Sequence, residues 1–136
     1  MDNGKVNFGI IGCGSVAPYH ASAIRKAQRA ELVLVADSNP QHAVRFSERF
    51  QIRAADSVEQ LLEDPSVDAV SIAVPVSELA NVAGKAIEAG KHVFVEKPLA
   101  MDLSQARALV EQCNRNERIL SRSEERRVGK ECRSRW

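Results

Sequence analysis

The sequence predicts an α/β fold, a doubly wound parallel sheet with helices on both faces, and three observations lead there. Short apolar runs rich in β-branched residues recur along the chain, stretches with apolar residues at i, i+3 and i+4 separate them, and the joining segments are short. The runs VNFGII (6–11), ELVLVA (31–36), DAVSIAV (68–74) and HVFV (92–95) are almost continuously apolar, as strands buried on both faces are. A weaker strand is expected at 52–54, which makes five, and a sixth begins at RIL (118–120) and stops there. Strand alternating with helix in this way implies right-handed crossovers.

The helices follow from their stripes and their ends. Val16, His20, Ala23, Ile24 and Ala27 share one helical face, as do Val76, Leu79, Ala80, Ala83 and Ile87, and then Leu103, Ala106, Val110 and Cys113. Asn39-Pro40 reads as an N-cap followed by proline at the first helical position. SVEQ (57–60) is a capping box, and Gly90 supplies a left-handed residue after the helix ending near 89.

Composition bounds the function. A chain of 136 residues, 44% hydrophobic and 27% charged, suits one globular domain. The net charge of +1 gives no reason to expect nucleic acid or an anionic membrane as a partner. No stretch resembles a secretory signal or a membrane span. Cys13, Cys113 and Cys132 are too scattered for a metal site, so no metal is expected, and reduced thiols in a cytoplasmic protein are. The basic excess is local: residues 121–136 hold six Lys+Arg and three Asp+Glu, leaving 13 and 15 for the rest.

The loop GIIGCGSVAPYH (9–20) joins the first strand to the first helix. Gly12, Gly14 and Ala17 match G-x-G-x-x-A, the dinucleotide-binding fingerprint of a Rossmann fold. Gly12 permits the tight turn, Gly14 lets a pyrophosphate approach the backbone, and Ala17 keeps the helix close to the strand. Alone, this pattern is weak, because a plain strand-to-helix turn uses the same glycines. Asp37, 25 residues after Gly12 at the end of the second strand, strengthens it, since a carboxylate there can accept hydrogen bonds from the adenosine ribose. That acid favours NAD, with NADP disfavoured, because neither Ser38 nor Asn39 offers a cation for a 2′-phosphate.

Together with GIIGCGSVAPYH, the segments VDAVSIAVP (67–75), AIEAGKHV (86–93) and VFVEKPLA (93–100) resemble the Gfo/Idh/MocA oxidoreductases over roughly residues 5–120. The resemblance implies an N-terminal NAD(P)-binding Rossmann domain, a second α+β domain missing here, and hydride transfer between the nicotinamide cofactor and a sugar, inositol or nucleotide sugar. By position, Gly12, Cys13, Gly14, Ser15 and Val16 would line the pyrophosphate and Asp37 the ribose. Glu96 and Lys97 fall on the family's E-K-P motif, whose lysine lies beside the nicotinamide and touches the reacting hydroxyl. Pro98 would follow a cis bond. Homo-oligomers are implied for the full-length protein only.

The sequence also departs from that pattern. Val76 and Leu79 stand where many members carry polar residues near the nicotinamide. His20 lies on a buried stripe, and a packing or helix-fixing role is expected of it; His92 is expected at the surface, and the Cys13 thiol is expected to be chemically idle. The segment SRSEERRVGKECRSRW resembles a translated cloning adapter, so the domain is expected over 1–120 and an unstructured, non-native basic tail over 121–136. A stand-alone NAD-binding module without catalysis is the alternative. A Rossmann reductase of the aspartate-derived pathways is a third reading, against which the E-K-P motif argues.

Overall fold

The computed structural model describes residues 4–122. Strands β1 (Val6–Ile11), β2 (Ala30–Ala36), β3 (Ala69–Ile72), β4 (His92–Val95) and β5 (Leu120–Arg122) form one parallel sheet in the order β2-β1-β3-β4-β5. Helices α1 (Ala17–Lys26), α2 (Pro40–Phe50), α3 (Val58–Glu63), α4 (Val76–Glu88) and α5 (Leu103–Arg115) connect them.

Strands β1 and β2 divide their side chains between two cores, and β3 and β4 feed the second of them. Ile10, Leu32 and Val35 pack with Ala17, Ala21 and Ile24 of α1 and Phe46 of α2. Ile11, Leu34, Val70, Ile72, Val93 and Val95 pack instead with Leu61, Leu79, Ala83, Ile87 and Leu109 of α3, α4 and α5. Burial on both faces explains the continuous apolar runs. Between Phe8 and Gly9 the β1–β2 register shifts: Phe8 faces Leu32 while Gly9 faces Leu34. The extra residue turns Leu32 and Leu34 to opposite cores although they are two apart.

The helix ends follow local chemistry. Asn39 Oδ1 accepts from the Gln41 N–H at 3.0 Å, and Ser57 Oγ from the Gln60 N–H at 3.0 Å. Gln60 reaches back one residue further than the usual box, taking the N–H of Asp56 at 2.6 Å. Asp102 and Gln105 make the same reciprocal pair at α5. Gly90, at φ +86°, continues the chain from α4 into β4.

Three expectations need correction in detail. Residues 52–54 form no full strand; Ala54 makes a single bridge to Val35 on the outer side of β2. The fifth place in the sheet belongs to the last strand, which is short yet paired, with Leu120, Ser121 and Arg122 beside Val93, Phe94 and Val95. It therefore runs two residues past position 120. The remainder of the expected tail, 123–136, lies outside the described residues. In α5, Leu109 and Cys113 face the core while Leu103 and Val110 are exposed. The helix is turned so that Gln112 donates to the Gly84 carbonyl of α4 at 3.0 Å.

His92 has more than a surface role. Its Nδ1 accepts the Ile119 N–H at 2.9 Å, while the Ile119 carbonyl accepts from Val93 at 2.8 Å, so the imidazole fixes the entry to β5. Burial, and then the Arg118 guanidinium, hold its pKa below the ordinary 6.5, with Asp68 opposing. A lowered histidine pKa stabilises the fold above the unfolded-state value, and that contribution is lost as pH falls through the folded value. Thermal melts should therefore lose stability as pH drops below about 6.5, and His92→Asn, which keeps an acceptor, should flatten that slope. An unchanged slope in the variant would remove His92 as the cause.

Candidate functional site

The strand order reverses between β1 and β3, and at that point a crevice opens at the carboxyl ends of the strands, where folds of this type bind ligands. Gly12 leaves β1 at φ +98°, its N–H bonded to the Ala36 carbonyl at 2.8 Å. A Cβ there would lie 2.5 Å from the Ala73 carbonyl oxygen, so the turn requires glycine. Gly14 is exposed, with no atom within 4 Å of where a Cβ would project, which leaves its backbone open to approach.

Asp37 is built into this loop. Its Oδ2 accepts the Cys13 N–H at 2.7 Å and its Oδ1 the Asn39 N–H at 2.8 Å. The carboxylate thus clasps the glycine loop to the end of β2; His42 Nδ1 lies 3.6 Å from its Oδ1, and Oδ2 keeps a lone pair that can accept from a ribose hydroxyl. Cys13 Sγ lies 3.6 Å from the Ala36 carbonyl. Burial, and then the Asp37 charge, push the thiol up to about 12, so it stays protonated at neutral pH.

Unlike α2, α3 and α5, helix α1 has no side-chain cap; Val16 holds that position. Ser15 and Val16 are exposed. Among the described residues, the N–H groups of Gly14, Ser15 and Val16 have no backbone partner. Open amides, the positive end of the helix and the bare glycine backbone suit a pyrophosphate. The residues present therefore fit a dinucleotide.

On the other side of the crevice, Glu96 and the exposed Lys97 follow β4, and the Lys97–Pro98 bond is cis. His20 bridges the two halves. Its Nε2 lies 2.5 Å from Glu96 Oε1 and its Nδ1 2.5 Å from Ser71 Oγ. The helix-fixing role expected of it is thus exercised through polar contacts. Leu79 is 1% exposed and belongs to the core, so it offers nothing to the crevice; Val76 is half-buried at the start of α4.

Sequence reasoning missed one group of residues. A cavity of about 340 Å³ beside Cys13 and Gly14 is lined by His42, Arg45 and Arg49 of α2, with Pro18 and Phe46. The i, i+3, i+7 spacing of His42, Arg45 and Arg49 after Pro40 was the available signal.

These features define a dinucleotide-binding domain of the Rossmann type. Residues 6–123 match the Gfo/Idh/MocA profile, described as an oxidoreductase family with an NAD-binding Rossmann fold, and the chain belongs to that family. It is 38% identical over 116 residues to a dTDP-3,4-didehydro-2,6-dideoxy-alpha-D-glucose 3-reductase of Saccharopolyspora spinosa, covering 85% of this chain and 35% of that protein. It is 34% identical over 109 residues to the NAD(+)-dependent scyllo-inositol 2-dehydrogenase of Bacillus subtilis, covering 79% and 32%. Among solved structures, a 3-ketoreductase from Actinomadura kijaniata in complex with NADP and TDP-benzene superposes with a TM-score of 0.83 at 32% identity, covering 88% of this chain and 37% of that one. The chain spans about a third of the length of these relatives. Among the described residues, no helix is long and apolar enough to cross a membrane.

Proposed function

We propose that this chain is the cofactor-binding part of an enzyme that moves a hydride between NAD and a hydroxyl or carbonyl carbon of a sugar, inositol or nucleotide sugar. The observation that carries the reading is the clasp of Asp37 on the glycine loop at the reversal of strand order. The relatives, which by name act on deoxysugar nucleotides and inositol, support the substrate class.

In this reading Gly12 and Cys13 shape the loop that lines the pyrophosphate, their own N–H groups being held by Ala36 and Asp37, the open amides of Gly14, Ser15 and Val16 bind it, and Asp37 accepts from the ribose hydroxyls. Bound NAD supplies the hydride acceptor. Lys97 then takes or returns the proton of the reacting hydroxyl, and Glu96 flanks it. Proton transfer by a positioned group commonly contributes about 10²–10⁴ in rate.

The test is cofactor choice. A 2′-phosphate about 4 Å from Asp37 meets roughly 4 kcal/mol of repulsion at an effective dielectric near 20. The α2 cations offset part of this, and about tenfold preference for NAD is expected, or about 1.4 kcal/mol. Calorimetric titration of the chain with NAD and NADP measures it. Asp37→Asn should narrow the gap, and equal dissociation constants in the unaltered chain would refute the assignment of Asp37.

A further inference from the structure

The geometry points to His20 as a positioning residue that ties the phosphate-binding helix to the Glu96–Lys97 turn. The inference rests on the reading of Lys97 given above. His20 stands on the first turn of α1 and is 8% exposed. Ser71, its partner at Nδ1, is 2% exposed on β3, and Glu96, its partner at Nε2, follows β4. The ring also meets Phe94 edge-on, with centroids 5.7 Å apart at 71°.

An imidazole held at both nitrogens and against an aromatic face has one orientation. Its role toward Glu96 is set as well. An ionised carboxylate only accepts, so Nε2 donates to Glu96, while Nδ1 shares a hydrogen bond with the Ser71 hydroxyl. The chain of hydrogen bonds runs from Ser71, inside the sheet, through His20 to the residue before Lys97. A histidine needed only to fill space could be satisfied by any nearby carbonyl; this one is shared between a side chain on β3 and one just after β4. Helix α1 presents its open end to the pyrophosphate. His20 therefore sets the two halves of the site in fixed register, and Glu96 aims the turn that carries Lys97.

The test needs no substrate. Long-range ¹H–¹⁵N correlation on the whole chain should show a proton on Nε2 of His20; a ring protonated at Nδ1 alone would overturn the inference. Three variants then separate the contacts. His20→Gln can place a donor where Nε2 stood, His20→Asn reaches toward Ser71 only, and His20→Phe keeps the ring contact alone. Acylation of Lys97 by N-hydroxysuccinimidyl acetate, followed by peptide mass spectrometry with Lys85 as reference, reports the setting of that lysine. The Asn and Phe variants should change its relative rate by about threefold or more while Gln stays near the unaltered chain. Affinity for ADP-ribose, which lacks the nicotinamide, should stay within about twofold in all three.

Equal Lys97 rates in every variant, or losses of ADP-ribose affinity that track the Lys97 rates, would reduce His20 to a packing residue. If the variants do not fold, the tautomer in the unaltered chain still decides. A chain that fails to bind NAD would sink the functional reading instead, and leaves the Lys97 acylation rates interpretable.

Discussion

Lys97→Met is expected to lower turnover by about two to four orders of magnitude, the range for a lost acid–base group. The measurement belongs on a chain of the relatives' full length, followed as NADH absorbance under conditions where chemistry limits the rate. Cofactor affinity should change by less than about twofold, because the lysine follows β4 while the groups proposed to hold the pyrophosphate and ribose lie on the first loop and just after β2. Methionine keeps the length of the side chain and removes only the titratable amine, so folding should be preserved. A variant retaining more than a third of normal turnover would make Lys97 structural.

Gly12→Ala should be the most damaging small substitution in the first loop. The backbone at φ +98° is strained for any residue with a Cβ, at about 1–3 kcal/mol. The added carbon would also lie 2.5 Å from the Ala73 carbonyl oxygen and 2.7 Å from its carbon. Those are backbone atoms of the loop after β3, so relief means moving one strand end against another, at about a further 1–3 kcal/mol. Denaturant unfolding should show a loss of roughly 2–6 kcal/mol, with NAD binding reduced or gone. Gly14→Ala is the control: with nothing within 4 Å of its Cβ position, it should leave stability nearly unchanged and weaken only NAD binding. Equal stability losses at the two glycines would refute the assignment of separate roles.

Much of this was legible in the sequence because it is periodic or local. The apolar runs gave β1, β2, β3 and β4, and the short-range caps at Asn39 and Ser57 are formed by the residues expected. Gly12 and Asp37 were legible as a pair because the fingerprint has fixed spacing. What escaped depends on contacts across long stretches of chain. The 52–54 segment has strand character but meets β2 only at Val35, while LSR at 120–122 has little strand character and is paired because β4 offers an open edge. Likewise Lys91, 6% exposed, donates to the carbonyls of Asp64 and Val67, although nothing local distinguishes it from a surface lysine. His20 shows the same limit: its place on a buried stripe was visible, but its partners lie 51 and 76 residues away.

The clasp between Asp37 and the Cys13 amide also bears on how such a protein can change its cofactor. The carboxylate proposed to discourage a 2′-phosphate also pins the glycine loop, through the Cys13 N–H. A mutation that deletes the acid to welcome NADP also frees an amide and loosens the turn, so the route to new selectivity passes through a less stable intermediate. Replacement by asparagine or serine keeps an oxygen for the Cys13 N–H while removing the charge. Cofactor switching in this lineage should therefore proceed through such neutral acceptors, with the guanidinium groups of Arg45 and Arg49 already in place to be recruited afterwards.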